Sequence, residues 1–540
     1  MNFHRPLCIL ALFSFFVLSF VPETGAATAF IDYTTKFQTI EGFGGGLSFH
    51  KYPYYHPKKD EIYDSLFNKM KINVIRVGNW YHPVLDTPCI EVPMMKEIQE
   101  RWPEVKTMLT SWTPPPYLKS NDSIIGWTPE RDTGTLKKNT DGTYMYDQYG
   151  DYWLQSVNYF LGNGMKIDWI SIQNEPDWPA QHEGCVLEGR ETPTIASYGK
   201  AHTAVYNKLK NGLVKMIPMI GPDVAGIYGD RVTRFITSPE TNTDEMAAYC
   251  HHLYDHPGME WFVNAQATIT GKPIYQTEFL INEGQQHGDK ILSWIDNALF
   301  MHQSLAVENA SMYCVFALAY NPGSMHTFFS QDTLWGDWYE TRNAYYVFKQ
   351  FSANIRRGWK RIDAGSDDPS FLMSAYCNDN NDSAAVVFIN LGNMQNQVNF
   401  SFPGKTATVI QTSNTRKYEQ IATFTDMGTI PLDSVSVTTV NLATTAAVTR
   451  NPLQTLGNRG SITVTPIGGG RLLVTGRTTS GTTAVTLFDC RGTRIDEGVL
   501  PRTTGNTATC VFNRRLVPGT YLLKLSAPGT TLSRTVAVIE

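Results

Sequence analysis

The strongest constraint on the fold is a series of short apolar runs that alternate with longer amphipathic or polar segments between about Phe43 and Leu318. Each run is bounded by Gly, Pro, Asn, Asp or charged residues, as strands are when helices connect them. Eight such runs follow one another: GFGGGLSF, INVIRVG, KTMLTSW, DWISIQN, KMIPMIG, MAAYCHHL, KPIYQTEF and SMYCVFAL. Eight strands joined by helices predict an α/β fold of the (β/α)8 barrel type.

The alternative for this pattern is an open, doubly wound sheet, which would carry a phosphate-binding loop after a strand. The sequence GFGGG does not match GxGxxG, and GxxxxGK[ST] does not occur in the chain. We therefore expect neither nucleotide binding nor any other cofactor.

Further all-β segments surround the predicted barrel, which spans residues 43–358. Short alternating runs predict a side β-domain, a β-sandwich fused to the barrel, at residues 359–444, and residues 28–42 are expected to add an N-terminal strand to it. The Thr- and Ala-rich residues 445–459 predict a linker. Residues 460–540 predict a separate C-terminal β-sandwich module.

The N-terminus has the pattern of a secretory signal peptide over residues 1–27. His4 and Arg5 precede an apolar core, and small residues follow it. The core of about 15 residues is shorter than the roughly 20 that a spanning helix needs, so a membrane anchor is the weaker alternative. We expect a secreted protein, extracellular or on the cell surface, without a membrane span.

Charge and cysteine content narrow the classes of partner and site. A formal net charge of −5 with 18% charged residues describes a mildly acidic protein that has no basic stripe to bind nucleic acid or anionic lipid. We also expect a monomer. The scattered cysteines of the mature chain are not a disulfide framework, although Cys490 and Cys510 flank a predicted strand connection and their pairing is left open. Neither CxxC nor HExxH occurs, and adjacent His251 and His252 would point to opposite sides of a strand, so no metal site is expected.

Two glutamates stand where a barrel places its catalytic groups, at the carboxyl ends of strands. Glu175 ends the fourth run in ISIQNEPDW, and Glu278 ends the seventh in PIYQTEFL. Pro176 is expected to hold Glu175 in extended geometry. A pair of carboxylates across a pocket is the requirement for glycosidic bond cleavage, retaining at about 5–5.5 Å separation and inverting at about 6.5–9.5 Å.

Seven motifs in order carry a resemblance to a known family: EGFGGG, TSWTPPPYLKSN, GTLKK, SIQNEPDW, HHLYDH, YQTEF and YYVFKQFSANIRRGWKRID. Over residues 29–443 the chain resembles glycoside hydrolase family 30, and most closely its bacterial xylanase or glucuronoxylanase-like branch. The resemblance implies a barrel with a fused side β-domain and a retaining mechanism. It also implies Glu175 as general acid/base and Glu278 as nucleophile, with xylan as the polysaccharide substrate.

The same resemblance suggests substrate contacts. Asn174 matches the residue that hydrogen-bonds the sugar 2-hydroxyl, while Trp112 and Trp178 are predicted to bind sugar faces, as flat aromatic side chains do. Burial in the core is the alternative for any tryptophan, and we prefer it for Trp153 and Trp169.

Three further residues are expected near the nucleophile. His252 and Tyr254 match a His-x-Tyr at the end of the sixth strand, and Tyr254 is in a position to hydrogen-bond Glu278. Arg76 matches a buried arginine of the family. Purely structural roles, a buried tyrosine and a structural ion pair, are the alternatives.

The chain departs from the glucuronoxylan-specific members after the eighth strand. Ala317 and Leu318 stand where a pair of arginines would provide the clamp for a glucuronate carboxylate, and neither can form bidentate bonds. We therefore predict an endo-acting β-1,4-xylanase that is not strictly dependent on glucuronic acid, with exo action left open.

Three other functions remain as alternatives: a β-1,6-glucanase, a glucosylceramidase-type glycosidase, and a non-catalytic polysaccharide-binding protein. For the C-terminal module, the closing sequence resembles bacterial sorting domains, and a carbohydrate-binding module is the rival.

Overall fold

The computed structural model describes residues 26–47, 52–83, 89–129, 133–279, 284, 286–287, 290–291, 293–320, 327–331, 336–444, 462–467, 471–476, 483–488, 494–500, 508–512, 519–527 and 530–538. The chain divides into two compact units, Met1–Thr444 and Thr445–Glu540. Residues 1–25 of the predicted signal peptide and the whole of the predicted linker lie outside the described residues.

The strands of the first unit, in chain order, are β1 (Ala27–Thr39), β2 (Gly42–Gly46), β3 (Val74–Gly78), β4 (Lys106–Thr110), β5 (Trp169–Ser171), β6 (Met219–Val224), β7 (Ala248–His252), β8 (Ile274–Glu278), β9 (Gln286–His287), β10 (Lys290–Ile291), β11 (Ala310–Val315), β12 (Ala317–Tyr320), β13 (Thr327–Gln331), β14 (Tyr339–Thr341), β15 (Lys360–Ser366), β16 (Leu372–Cys377), β17 (Ser383–Asn390), β18 (Asn396–Ser413), β19 (Glu419–Leu432) and β20 (Ser436–Thr444).

The α-helices described in this unit are α1 (Tyr52–Tyr55), α2 (Lys59–Tyr63), α3 (Glu91–Arg101), α4 (Tyr146–Gly162), α5 (Tyr198–Gly212), α6 (Thr233–Ile236), α7 (Met259–Thr268), α8 (Trp294–His302) and α9 (Asn343–Ser352). Short π-helical segments follow α2 and α8 at Asp64–Lys69 and Gln303–Glu308, and 3-10 turns lie at Pro116–Leu118 and Thr243–Glu245. Within the described parts of the chain, no helix has both the length and the apolar character needed to cross a bilayer.

The predicted barrel is confirmed, because β2 to β8 and β11 pair in parallel and close in the order β11-β2-β3-β4-β5-β6-β7-β8. All eight apolar runs contribute one strand each. The eighth run is longer than its barrel strand: Phe316 separates β11 from β12, and β12 joins a small sheet with β13 and β14.

Alternation along the strands separates the inside of the barrel from its outside. The interior is filled by one cluster that includes Val74, Met108, Trp169 and Tyr275. The neighbouring Ile75 belongs to the larger core between strands and helices. Arg76, two positions after Val74, therefore points into the barrel.

Helix α4 shows how the outer core is built. Its buried residues recur at helical spacing and include Tyr149, Trp153, Val157 and Phe160, so one face of the helix packs on the barrel. Trp153 is fully buried. The preference for a core role is confirmed for Trp153 and also for Trp169, which lies in the barrel interior.

The side β-domain is a seven-stranded sheet in the order β1-β15-β16-β17-β20-β18-β19. Strand β1 pairs with both β15 and β18, so the early run joins this domain as expected. Strand β17 is buried on both faces: Val386 packs in the domain's own core and Val387 in the core shared with the barrel helices. This two-sided burial ties the domain to the barrel.

The second unit is all-β, as predicted. Two antiparallel sheets form it, with the orders β21-β22-β25 and β24-β23-β26-β27. Their strands are β21 (Ile462–Ile467), β22 (Arg471–Gly476), β23 (Thr483–Phe488), β24 (Arg494–Leu500), β25 (Ala508–Val511), β26 (Gly519–Ala527) and β27 (Thr530–Val538). Cys510 is buried and carries a free thiol. Cys490, the residue considered for pairing with it, lies outside the described residues.

Candidate active site

The two strand-end glutamates meet at the carboxyl end of the barrel. Side-chain atoms of Glu175, His252 and Glu278 all lie within 4.8 Å of one another. Glu278 is the last residue of β8 and is 4% exposed, while Glu175 follows β5 by four positions and its side chain is 12% exposed. Folding thus brings together two carboxylates that are far apart in sequence.

The backbone of Glu175 corrects one expectation. Its φ is +44°, in the left-handed region, and not in the extended region that Pro176 was expected to impose. Backbone hydrogen bonds hold this geometry: Glu175 N–H donates to the carbonyl of Asp223 at 3.0 Å, and the Glu175 carbonyl accepts from Trp178 N–H at 3.0 Å. The tertiary bond to Asp223 and the turn closed by Trp178 together outweigh the preference that Pro176 imposes, and such strain is typical of functional sites.

Both carboxylate oxygens of Glu278 are held by donors. Tyr254 Oη donates to Glu278 Oε1 at 2.6 Å, so the hydrogen bond expected between these residues is present. Arg76 donates from Nη1 to Glu278 Oε2. Burial and the carboxylate of Glu278 raise the pKa of Tyr254 well above its ordinary value, so the phenol stays protonated and remains a donor.

Arg76 is the hub of the buried polar network. Its Nη2 donates to Asn174 Oδ1 at 2.7 Å and to Asp223 Oδ2 at 2.9 Å. Its guanidinium lies 4.6 Å from the centre of the Trp112 ring. Because Arg76 occupies the oxygen of the Asn174 side chain, the amide nitrogen is the group left for another acceptor.

Asp223 belongs to this network, although the sequence analysis did not single it out. It is fully buried and accepts hydrogen bonds from Ser171 Oγ at 2.7 Å and from Thr277 Oγ1, besides its ion pair with Arg76. Burial alone would raise the pKa of Asp223, but Arg76 and His252 outweigh it and lower the pKa. The sequence did contain a signal for Asp223, because this residue follows the fifth apolar run by two positions, close to where the barrel places its catalytic groups.

His252 connects the two sides of the site. Its Nδ1 lies 2.9 Å from Glu175 Oε1 and its Nε2 lies 3.4 Å from Asp223 Oδ1. Burial disfavours its charged form, but the carboxylates of Glu278, Asp223 and Glu175 outweigh that effect and raise its pKa to about 10. The neighbouring His251 contacts Glu308 at 2.6 Å, so the two histidines point to opposite sides of β7 as expected.

A cavity of about 710 Å³ opens above these groups. Trp80 and Trp112 stack in its wall, with ring centres 5.0 Å apart. Trp112 is 4% exposed and Trp178 is 48% exposed, and both line the cavity. The remaining lining residues are Asn174, Glu175, His182, Glu183, Ala225, Arg231, Tyr254, Asp255, Glu278, Phe316 and Tyr320.

The two positions where an arginine clamp would stand are apolar and buried. Ala317 and Leu318 are 1% and 0% exposed, while Phe316 and Tyr320 on either side of them line the cavity. The cavity does contain one arginine that the sequence analysis did not consider, Arg231, whose Nη1 is paired with Asp177 Oδ2 at 2.7 Å.

Among the described residues at this site, one group of three side chains could hold a metal ion, namely Glu175, His252 and Glu278. A cation there would compete with Arg76 and Tyr254, which already donate to both oxygens of Glu278. The donor set therefore favours proton chemistry at these carboxylates.

Comparison with known proteins places this arrangement in context. No family model matches the chain. Among curated proteins, the glucuronoxylanase XynC of Bacillus subtilis is 22% identical over 432 residues, which covers 75% of this chain and 88% of XynC.

Solved structures share the fold at low identity. The family 30 subfamily 8 xylanase Xyn30A of Clostridium acetobutylicum is 22% identical with a TM-score of 0.58, covering 77% of this chain and 99% of its own. The catalytic domain of xylanase C of Talaromyces cellulolyticus is 17% identical with a TM-score of 0.63, covering 77% and 100%. An endo-β1,6-glucanase is 18% identical with a TM-score of 0.59, covering 78% and 94%. In sequence and in fold, the chain resembles glycoside hydrolase family 30 and, within it, the xylanase-like proteins.

Proposed function

We propose that this protein is a retaining glycoside hydrolase that cleaves β-1,4-xylan within the chain. The observation that carries the proposal is the approach of the Glu175 and Glu278 oxygens to within 4.8 Å. An inverting enzyme keeps its carboxyl groups about 6.5–9.5 Å apart to admit a water molecule between carboxylate and sugar. The short spacing supports direct attack by one carboxylate.

In the first step, an oxygen of Glu278 bonds to the anomeric carbon as the glycosidic C–O bond breaks. Glu175 gives its proton to the leaving oxygen at the same time. Arg76 and Tyr254 position the Glu278 carboxylate and stabilise its ionised form through charge-assisted hydrogen bonds.

In the second step, a water molecule attacks the anomeric carbon and releases Glu278. Glu175 now acts as the base and takes the proton of that water. Asn174, whose oxygen is held by Arg76, offers its amide nitrogen to the sugar 2-hydroxyl beside the nucleophile.

His252 sets where the Glu175 proton resides. With a pKa of about 10, the imidazole is protonated at neutral pH, so Nδ1 donates to Glu175 Oε1. The transferable proton of Glu175 is then carried by Oε2, the other carboxylate oxygen.

The cavity supports a neutral polysaccharide as substrate. Trp80 and Trp178 offer aromatic surface for sugar rings. Trp112 is 4% exposed and is covered by the stacked Trp80 ring and the Arg76 guanidinium, so it supports this wall of the cavity. Arg231 is paired with Asp177, and Glu183 and Asp255 also line the cavity, so an acidic substituent meets no uncommitted arginine there among the described residues. We propose that xylan is accepted without strict dependence on glucuronic acid.

A β-1,6-glucanase is the second candidate, favoured by the structural likeness to an endo-β1,6-glucanase. The same pair of glutamates would serve it, so the difference lies in the sugar-binding walls. A non-catalytic polysaccharide-binding protein is disfavoured, since both carboxylates and their donors are present.

We also propose that the protein is secreted, which the N-terminal pattern supports. The all-β second unit is proposed to serve in sorting or in carbohydrate binding.

Product analysis on glucuronoxylan, arabinoxylan and linear β-1,4-xylo-oligosaccharides tests the proposal, with β-1,6-glucan as the comparison. We expect comparable cleavage of the three xylan substrates. Products from β-1,6-glucan alone would replace the xylanase proposal with the second candidate, and products from glucuronoxylan alone would refute independence from glucuronic acid.

A further inference from the structure

A second cavity adjoins the catalytic one. It has a volume of about 520 Å³ and is lined by Trp127, Thr133, Trp178, Pro179, Gln181 and His182. Trp178 and His182 line both cavities, so the second is a continuation of the catalytic cleft past the Trp178 side chain. A substrate that extends beyond the first cavity in this direction enters the second.

The position of Glu175 indicates which part of a substrate lies there. Trp178 belongs to the same turn as Glu175, because its N–H donates to the Glu175 carbonyl at 3.0 Å. The general acid contacts the leaving oxygen, and the nucleophile lies beneath the sugar ring on the other side of the broken bond. Four of the lining residues of the second cavity, Trp178, Pro179, Gln181 and His182, follow Glu175 within seven positions, and Glu278 is not among the lining residues, which favours the leaving-group side.

The wall of the second cavity is a built structure. Residues 124–127 and 180–184 pair as in an antiparallel ladder: Trp127 N–H donates to the Ala180 carbonyl at 2.7 Å and Gly126 N–H to the His182 carbonyl at 2.8 Å. A Cβ at Gly126 would lie 2.5 Å from the Ala180 carbonyl oxygen, so only glycine permits this approach.

A buried lysine joins the same two segments. Lys119 is 0% exposed, and its ammonium donates to the carbonyls of Ile125 at 2.9 Å and Ile124 at 3.2 Å, and to the carbonyl of Gly184 across the pairing. Burial lowers its pKa to about 8. The ammonium thus fixes the ladder that carries Trp127 in the wall of the second cavity.

We propose that the second cavity is a saccharide-binding subsite for the leaving-group side of the polysaccharide, with Trp127 as its specificity-determining residue. This inference rests on the proposed function. Trp127 is half-buried and Trp178 is exposed, so both present aromatic surface, while Thr133, Gln181 and His182 supply polar groups for hydroxyls. Aromatic faces with a few polar partners are the usual composition of a sugar site.

The test compares a long and a truncated substrate in the full chain. Xylohexaose can place sugar units on the leaving-group side, whereas 4-nitrophenyl β-xylobioside has only its aryl group there. For Trp127→Ala, the ratio of kcat/KM on xylohexaose to kcat/KM on the aryl xylobioside is expected to fall by about tenfold or more, as for a central aromatic contact. Trp127→Phe keeps an aromatic face and should retain most of the wild-type ratio.

Trp338→Ala is the matched control, because Trp338 is 47% exposed and is not among the residues that line either cavity. An unchanged ratio in Trp127→Ala, or an equal fall in Trp338→Ala, overturns the subsite. A wild-type protein that cleaves neither substrate refutes the proposed xylanase function itself, which separates the two failures.

Discussion

The imidazole Nδ1 of His252 lies 2.9 Å from Oε1 of Glu175, although 77 positions separate the two residues in the chain. His252 also lies 3.4 Å from Asp223 through Nε2, and Asp223 in turn pairs with Arg76. The proposed acid and the proposed nucleophile are thus linked through one buried set of alternating charges.

Glu278→Gln tests the nucleophile. We expect kcat to fall by roughly 10⁴-fold or more, because the covalent step is lost. Gln still accepts from Arg76 and Asp223 remains as a counterion, but the buried ion pair between Arg76 and Glu278 is lost, so the melting temperature should fall as well. Glu183→Gln, which changes another cavity-lining carboxylate, is the control and should retain activity. Substantial turnover by Glu278→Gln would contradict the assignment.

Glu175→Ala tests the general acid. The loss in kcat/KM on xylan should be about 10²–10⁴-fold, while an aryl glycoside with a good leaving group should be affected far less in its first step, because that group departs without a proton. Parallel rate measurements on both substrates check this. Equal losses on the two would remove Glu175 from the acid role.

Tyr254→Phe tests the positioning of the nucleophile. Removal of the 2.6 Å hydrogen bond to Glu278 Oε1 should reduce kcat by about 10²-fold, as does loss of one aligned donor in other active sites. KM for the same substrate should change little. Tyr228→Phe, at a 40% exposed tyrosine, is the control. A wild-type kcat in Tyr254→Phe would mean that the phenol is only a core group.

His252 predicts a dependence of stability on pH. Its pKa is raised from 6.5 to about 10 on folding, so its charged form stabilises the native state. That contribution is fully present below about pH 6.5 and is lost as the pH rises toward 10. Urea unfolding of wild type and His252→Gln should therefore show a larger difference in the free energy of unfolding at pH 6 than at pH 10.

The control for the pH experiment is His182→Gln, which changes an exposed histidine. Its difference from wild type should be small at both pH values. An equal difference for His252→Gln at pH 6 and pH 10 would show that the charge on His252 does not stabilise the fold.

Asp223→Asn tests the buried network directly. It leaves Arg76 and His252 without one carboxylate, and breaking a buried ion pair costs about 3–5 kcal/mol in the free energy of unfolding. Asp151→Asn removes a surface partner of Lys208 and should cost about 0–1 kcal/mol. Urea denaturation at constant pH measures both, and equal effects would refute the central role of Asp223.

The sequence by itself determined the barrel, the side β-domain and the two glutamates. Strand and helix periods are local, so eight apolar runs bounded by polar residues are sufficient to predict eight strands. Glu175 and Glu278 were found because each stands at the end of such a run, and β1 was expected in the side domain because its run precedes the first barrel strand.

Only the tertiary structure decided the left-handed backbone of Glu175, the central place of Asp223 and the junction of the two cavities at Trp178. Pro176 favours extended geometry locally, but the hydrogen bond of Glu175 to Asp223 on a distant strand, together with the turn to Trp178, outweighs that preference. Asp223 and Trp127 carry no periodic signal, because the contacts that define their places are made across the fold, as between Asp223 and Ser171 or between Trp127 and Ala180. Hydrophobic periodicity in the sequence predicts which side chains are buried. Which buried charged side chains contact one another is decided only when the barrel closes.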